Sequence, residues 1–291
     1  MSIARVDDLL RAVLLRAGRV LPPPRRKRFA RQVRGWHEAR YIGRANAVVL
    51  SHAKSGRTWL ATMLAAYERA AGASVGVFFS HDNYIRDWSA RGAQPWHAGK
   101  RLVLLVREPG DVLVSFYHHW QHRMKPGKHW VNDYPHGPLD LWEFTQHPRT
   151  GLDNLIAFMN RLAAETAGRD DVLRVRYEDL RRTPREALEQ LIRFVAGSVD
   201  PAAVRAAVEY GSFQNMQRLE RQNADDPRAS SRLKPRDVNN PQSFKVRSGR
   251  VGGYRDSFTP EQVAVMDALV RDTLDSSYGY PLGEDPCRNA E

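Results

Sequence analysis

Residues Ala47 to Ala66 contain the junction that decides the fold, and they read AVVLSHAKSGRTWLATMLAA. The first five, Ala47 to Ser51, form a short apolar run that is typical of a buried parallel strand. From Arg57 onward, apolar residues recur at helical spacing. They are Leu60, Met63, Leu64 and Tyr67. The stretch therefore predicts a strand, a short loop and a helix.

The loop between this strand and helix carries the groups that a phosphate needs. Gly56 lets the backbone approach a ligand closely, and the free N–H groups of the new helix direct positive dipoles at it. The side chain of Lys54 adds a full charge. Further donors come from Ser55, Arg57 and Thr58. The loop predicts a phosphate site, with an ordinary strand-to-helix turn as the alternative.

The order of lysine and glycine in this loop argues against a magnesium–nucleoside triphosphate site. The loop of nucleoside triphosphatases reads GxxxxGK[ST], with the lysine after the second glycine. Here Lys54 precedes Gly56, and no glycine stands five residues before Gly56. A P-loop small-molecule kinase is therefore kept only as an alternative enzyme class.

The composition of the 291 residues fits a globular protein, with 42% apolar and 27% charged residues. The single cysteine, Cys287, excludes an intrachain disulfide. Net charge is +12, and residues 1–40 alone contribute +8 of it. Because no recognised nucleic-acid module accompanies this charge, we do not expect nucleic acid as a partner. His118 and His122 are four residues apart, but nothing nearby completes a metal site, so no metal is expected.

The basic N-terminal segment predicts an amphipathic helix over residues 3–17, ended by the prolines at 22–24. Its apolar run is too short and too interrupted by arginine to span a bilayer. Such a helix beside a polybasic patch suits an anionic membrane surface. Docking on the protein's own core is an equally good interpretation. We divide the chain into this extension (1–43), one catalytic domain (44–283) and a polar tail (284–291).

Three further strands alternate with helices along the chain, at Val75 to Phe79, Arg101 to Val106 and Val172 to Tyr177. This pattern predicts an α/β fold, a three-layer sandwich with a mostly parallel central sheet. Ligands of such folds bind at the carboxyl ends of the strands. Polar residues stand at or just after the four strand ends, namely Lys54, His81, Arg107 and Tyr177. The strand pattern alone therefore predicts one shared site.

Less regular segments carry weaker predictions. Thr183 and Thr259 each open a helix with a capping box and a following proline. Residues 125–151 lack periodicity and predict a long functional loop. Residues 217–243 are polar and predict a mobile surface segment.

Five ordered segments of this chain resemble the cytosolic-type sulfotransferases, which take sulfate from 3′-phosphoadenosine 5′-phosphosulfate (PAPS). The loop from Lys54 to Trp59 resembles the one that holds the 5′-phosphosulfate, so the fold expected is the P-loop-like sulfotransferase fold. Arg107 to Ser115 reads REPGDVLVS and resembles the family's 3′-phosphate segment. The resemblance implies that Arg107 and Ser115 contact that phosphate.

The other three segments resemble the parts that complete the nucleotide site. Tyr177 opens a Tyr-Glu-Asp segment, which implies contact with adenine, and Trp59 matches the residue that stacks on it. The Ser-Phe-x-x-Met segment is matched by Ser212, Phe213 and Met216, although Gly211 replaces a threonine before it. The last match consists of Arg247, Ser248 and Gly249. There Ser248 replaces a lysine, which predicts one cation fewer at the 3′-phosphate.

The resemblance implies a PAPS-dependent sulfotransferase in which His81 is the catalytic base. His81 follows the second strand, as in the family's histidine triplet, and an imidazole titrates near operating pH. His52 is a rival that we expect to pack or bond locally, and Asp82 is a weaker alternative base. In-line attack by a hydroxyl or amine would be assisted by Lys54. The non-enzymatic alternative is a catalytically silent nucleotide-binding protein on a membrane surface.

The acceptor itself is not readable from the sequence. Aromatic residues fall in the segments expected to line its pocket, namely Trp88, Trp96, Trp130, Tyr134 and Trp142. A small-molecule, sugar or lipid-linked acceptor would fit such a pocket. We expect a cytoplasmic protein, held at the inner face of the membrane if residues 1–42 bind there.

Overall fold

A parallel sheet of four short strands forms the centre of the computed structural model, which describes residues 3–86, 96–224, 226 and 233–280. The strands are β1 (Ala47–Leu50), β2 (Val77–Ser80), β3 (Arg101–Val106) and β4 (Val172–Arg176). Their order across the sheet is β2-β1-β3-β4, and every pair is parallel. The predicted strands are therefore confirmed to within one or two residues.

The strand order places a topological switch between β1 and β3. From β1 the chain crosses to β2 on one side and then returns to β3 on the other side. At such a switch the loops after neighbouring strands diverge, and a crevice opens outside the carboxyl ends. The crevice here lies between the loop that holds Lys54 and the segment that begins at Arg107.

Helices cover both faces of the sheet and its carboxyl edge. They are α1 (Ile3–Ala17), α2 (Pro23–Arg44), α3 (Arg57–Ala71), α4 (Pro109–His122), α5 (Pro126–Asn132), α6 (Leu141–Gln146), α7 (Leu152–Thr166), α8 (Tyr177–Arg182), α9 (Pro184–Ala196), α10 (Pro201–Tyr210), α11 (Phe213–Gln222) and α12 (Pro260–Thr273). Short 3-10 helices add Gly18–Val20, Pro241–Ser243, Gly253–Ser257 and Ser276–Tyr278.

Alternate strand residues enter two separate cores, which makes the molecule a three-layer sandwich. Leu50 and Leu104 face the core built with α4, α7 and α12. Val49 and Val103 face the opposite core built with α3, α9 and α10. Because successive side chains of a strand point to opposite faces, a strand buried on both faces is apolar throughout. The predicted α/β architecture is confirmed.

The N-terminal segment consists of two helices, whereas the sequence predicted one helix that ends at the prolines 22–24. Pro23 opens α2, because its fixed φ suits the first helical position. Asp7 of α1 binds Arg40 and Arg44 of α2 at 2.8 and 2.7 Å, which joins the two helices. The ring of Tyr41 stacks on Phe78 of β2 at 5.6 Å, so α2 is docked on the domain.

The apolar face of α1 is not covered in the same way. Val6, Leu9, Leu10 and Val13 are 42%, 59%, 42% and 54% exposed. In the described part of the chain, every helix is too short or too polar to span a bilayer. The sequence left two alternatives for the helix over residues 3–17, a membrane surface and the protein's own core. The exposed apolar face shows that these side chains of α1 are not buried in the core.

Three weaker predictions from the sequence are wrong. Residues 125–151 contain α5 and α6, and α6 begins with an Asp140–Glu143 capping box. The described part of 217–243 is not a mobile surface segment throughout, because α11 continues to Gln222 and Glu220 within it is fully buried. Thr183 makes no capping bond to its helix, whereas the capping box predicted at Thr259 is confirmed.

Candidate active site

A cavity of about 1410 Å³ lies at the carboxyl edge of the sheet. Lys54, His81, Arg107 and Tyr177, which follow the four strands, all line it. The strand pattern had placed these four residues at one edge, and the structure brings them to one cavity. Of the other site residues predicted from the sequence, only Ser55 and Ser212 are absent from the described wall. Ser55 is buried beneath the loop, and Ser212 precedes α11.

The loop after β1 approaches the cavity with its backbone in the left-handed region. Lys54 has φ of +81° and Gly56 has φ of +96°. A Cβ on Gly56 would lie 2.7 Å from the ring of Tyr177, so only glycine fits beneath that ring. Burial, followed by repulsion from Lys245, lowers the pKa of Lys54 well below its usual value. An anion in the cavity would reverse this shift, because it favours the charged amine.

Arg107 is held at the opposite side of the crevice by an aromatic face and a carboxylate. Its guanidinium lies 4.2 Å from the centroid of the Tyr177 ring and 3.2 Å from Asp111. Asp111 also accepts the backbone N–H groups of Gly252 and Tyr254, each at 3.0 Å. This carboxylate therefore joins Arg107 to the C-terminal loop. The buried Nε of Arg107 has no hydrogen-bond partner among the described residues, which leaves a donor for a ligand.

Aromatic rings form a slot beside these cations. The indole N–H of Trp59 donates to Gly211 O at 2.6 Å, and its ring meets Tyr177 edge-on at 5.8 Å. Gly249 has φ of +62°, and a Cβ there would lie 3.1 Å from the Phe213 ring. Met216 closes the slot from α11. Flat, apolar walls of this kind suit a purine base.

Cations that the motifs did not reveal complete the wall. Lys245 reaches Thr58 Oγ1 at 3.1 Å, so it adds a cation beside the phosphate loop that follows β1. Arg123 pairs at 3.0 Å with Glu220, which is 0% exposed. Glu220 also accepts the backbone N–H groups of Lys245 and Val246, each at 2.8 Å. No local pattern indicates these contacts, since they join residues far apart in the chain.

His81 lines the cavity, and its Nε2 has no hydrogen-bond partner among the described residues. Its Nδ1 lies 2.8 Å from the carbonyl oxygen of Ser51, and a carbonyl only accepts. Nδ1 therefore carries the proton, and Nε2 keeps its lone pair. Burial, followed by the nearby Arg57, lowers the pKa of His81 well below its usual value. The imidazole is therefore neutral at physiological pH and able to accept a proton.

The two rival bases are occupied elsewhere. His52 lies edge-on to Phe116 and Phe158, and burial lowers its pKa to about 4, which confirms that it packs locally. Asp82 is a wrong alternative, because its buried carboxylate binds Arg86 and also Trp96 and Arg161. Asp82 does not line the described cavity wall.

The aromatic residues predicted for an acceptor pocket do not gather there. Tyr134 lines the cavity, but Trp96 bonds to Asp82 and Trp130 lies under the guanidinium of Arg26. Trp142 meets Phe258 at 6.1 Å, away from the described wall. Trp88 lies outside the described residues, as does the tail 284–291. The predicted aromatic lining is therefore wrong for three of the four described residues.

No group of three or more potential metal ligands occurs among the described residues. His118 and His122 stack on each other, with ring centroids 6.1 Å apart.

A family model described as "Sulfotransferase domain" matches residues 93–278, so the chain belongs to this family. The match begins after Lys54 and His81, so the family model does not support a role for these two residues. Their place in the site rests on the fold. Rat sulfotransferase 2A6 is 23% identical over 191 residues, which cover 64% of this chain and 60% of the relative. For human sulfotransferase 2B1 the identity is 22%, over 64% of this chain and 47% of the relative. The chain thus spans 60% or less of the length of these two relatives.

Solved structures agree with this assignment at the level of the fold. Mouse sulfotransferase SULT7A1, solved in complex with PAP, superposes with a TM-score of 0.55 at 19% identity, over 81% of this chain and 86% of that one. Retinol dehydratase, solved in a complex with retinol and PAP, gives a TM-score of 0.51 at 15% identity, over 79% of this chain and 81% of that one.

The lowered pKa values of the cavity lysines predict that the protein takes up protons when it binds an anion. Burial, followed by repulsion from Arg123, lowers the pKa of Lys245 to about 7. Lys245 is therefore partly neutral between pH 7 and 8, and an anion that restores its charge must draw in a proton. We expect adenosine 3′,5′-bisphosphate (PAP) to bind more weakly as pH rises from 6.5 to 8.5.

Calorimetry at pH 7.5 in buffers of different ionisation enthalpy measures this uptake. Lys245→Arg is the matched control, because arginine stays charged, and comparison with it cancels the titration of the ligand's own phosphates. The uptake should be smaller in Lys245→Arg than in the unmodified protein. Equal uptake in both proteins would show that Lys245 is already charged in the empty cavity.

Proposed function

We propose that this protein is a sulfotransferase that moves the sulfuryl group of PAPS to a hydroxyl or amine of a small-molecule acceptor. The observation that carries the proposal is the position of His81. Its free Nε2 belongs to the same cavity as the phosphate loop at Lys54 and the Arg107–Tyr177 pair. Family membership and the PAP complexes of two similarly folded proteins support this choice of nucleotide.

The donor would lie across the crevice between β1 and β3. Its phosphosulfate would take the N–H groups at the start of α3 together with Lys54, and its 3′-phosphate would take Arg107, Ser115 and Arg247. The adenine would enter the slot of Trp59 and Phe213. This assignment would give a partner to the Nε of Arg107, which has none among the described residues. Burial, followed by repulsion from Arg107 and Arg123, lowers the pKa of Arg247 to about 10, and a bound anion would relieve that repulsion.

The transfer would then be an in-line displacement at sulfur. The acceptor oxygen forms the new S–O bond as the bond between sulfur and the 5′-phosphate oxygen breaks, and PAP departs. The acceptor proton passes to Nε2 of His81, whose Nδ1 stays bonded to Ser51 O. Lys54 and the loop N–H groups stabilise the charge that grows on the leaving oxygen. The depressed pKa of His81 keeps the base unprotonated until the acceptor binds.

We also propose that α1 holds the protein on the anionic, cytoplasmic face of a membrane. Its exposed apolar residues would enter the interface, and exposed arginines nearby would face the lipid phosphates. The arginines are Arg16, Arg19, Arg25 and Arg28. The residues of α2 that line the cavity would then lie near the surface, close to a lipid-linked acceptor.

Replacement of the base separates catalysis from nucleotide binding. His81→Ala should lower kcat by roughly 10²- to 10⁴-fold, because general-base catalysis acts only in the transition state. The affinity for PAP, measured by calorimetry, should stay unchanged. The exposed His136→Ala serves as control and should keep full activity. A near-normal rate for His81→Ala with labelled PAPS would refute the assignment of the base.

Sedimentation with vesicles tests the role of α1. The full chain should sediment at low salt with vesicles that contain phosphatidylserine, and Leu9→Glu should abolish this while PAP affinity is retained. Val265→Glu, which places the same charge at a 58% exposed apolar position of α12, is the control. If the unmodified protein stays in the supernatant, or if Leu9→Glu sediments equally, α1 does not bind membranes.

A further inference from the structure

The cavity extends beyond His81 to an end that the donor does not need. Helices α2 and α5 form this end, together with the segment after β2. Its wall includes Arg34, Tyr84, Lys128 and Asn132. If the protein is a sulfotransferase, the acceptor lies here, because it must reach both His81 and the sulfur of the donor. The chemistry of this wall therefore bears on the acceptor, and the inference rests on the proposed function.

Two cations at this end have no carboxylate partner among the described residues. The guanidinium of Arg34 lies 5.4 Å from the ring centroid of Tyr84, and its buried Nε has no hydrogen-bond partner in the described part of the chain. The ammonium of Lys128 likewise makes no ion pair or side-chain hydrogen bond within the described ranges. Glu38, the acidic residue of α2, instead accepts a hydrogen bond from the hydroxyl of Ser80.

These cations also repel one another. The pKa of Lys128 is lowered by burial, which is the largest cause, and then by repulsion from Arg57, Arg34 and Lys125. Over the whole described wall, fourteen lysines and arginines face four carboxylates. The proposed donor has two anionic groups, the phosphosulfate and the 3′-phosphate. They would be bound by Lys54, Arg107, Lys245 and Arg247. The remaining positive charge would favour a further anion at this end of the cavity.

We propose that the acceptor carries a phosphate or carboxylate group, which Arg34 and Lys128 bind while its hydroxyl or amine faces His81. Charge-assisted bonds to a partly buried anion are among the stronger polar contacts. A wholly apolar acceptor would cover the same cations and leave them desolvated without a partner. Two relatives named for apolar acceptors, a guinea-pig 3-beta-hydroxysteroid sulfotransferase and retinol dehydratase, would then differ from this chain in acceptor class.

Binding of a second anion tests the site without knowledge of the acceptor. Protein saturated with PAP is titrated with inorganic pyrophosphate in a calorimeter. We expect one further binding event, weakened roughly tenfold or more in Arg34→Gln and in Lys128→Gln. Arg205→Gln removes the same charge from the exposed face of α10 and should change nothing. Lys128→Arg, which keeps the charge, should retain most of the affinity.

Two results of the titration would overturn the proposal. One is the absence of pyrophosphate binding to the PAP-saturated protein. The other is binding that is equally strong in Arg34→Gln, which would place the anion at the vacant sulfate position beside Lys54. If PAP itself does not bind, the result contradicts the proposed function, and the anion site that rests on it is rejected as well.

Transfer assays distinguish the possible anions. Labelled PAPS is offered with methyl glucoside, methyl glucuronide, glucose 6-phosphate and a neutral steroid alcohol. We expect kcat/KM at least about tenfold higher for the carboxylate or the phosphate than for the neutral sugar, and this preference should collapse in Lys128→Gln but persist in Arg205→Gln. Preference for the steroid or the neutral sugar would overturn the anionic acceptor and leave the sulfotransferase proposal standing. If none of the four is sulfated although PAP binds, the pyrophosphate titration decides.

Discussion

Repulsion between like charges in a partly buried cavity is the constraint on which the rest of this structure depends. Burial first, and then repulsion between neighbouring cations, lowers the pKa values of cavity lysines, as at Lys54 and Lys245. Two buried carboxylates hold the surrounding chain in place. Asp111 fixes Arg107 and the turn at Gly252 and Tyr254, and Glu220 fixes Arg123 and the backbone at Lys245 and Val246. The resulting cavity favours anions at each step of the proposed reaction.

The fold explains why these charges meet. The reversal of strand order at β1 opens a crevice between β1 and β3, and the two anion-binding segments follow those two strands. His81 follows β2, one strand further out, so in the proposed reaction it would approach the sulfur from the side opposite to the nucleotide. Helix α2, which the sequence did not predict, closes the outer end. The proposed acceptor site would therefore be formed partly by the N-terminal segment, outside the residues that match the family model.

Residues in short contiguous motifs could be predicted from the sequence, and those fixed by distant contacts could not. Lys54, Arg107 and Tyr177 each follow an apolar strand, so their positions at one edge follow from the alternation of strands and helices. Glu220 lies in a polar run that predicts an exposed segment, because its partners are 97 and 25 residues away. Two local signals in the sequence do indicate helices that were not predicted. Pro23 marks the start of α2, and the Asp140–Glu143 capping box marks the start of α6. The tryptophans were wrongly predicted to line an acceptor pocket, because a tryptophan ring can also pack against an arginine, as Trp130 does against Arg26.

The most direct test of the central claim compares two adenine nucleotides that differ in the position of one phosphate. Calorimetry with PAP and with ADP measures whether Arg107, Ser115 and Arg247 recognise a 3′-phosphate. One charge-assisted contact contributes about 1.5–3 kcal/mol, so the account predicts that PAP binds roughly ten- to hundred-fold more tightly. Equal affinity for the two nucleotides would contradict the assignment of the crevice to PAPS.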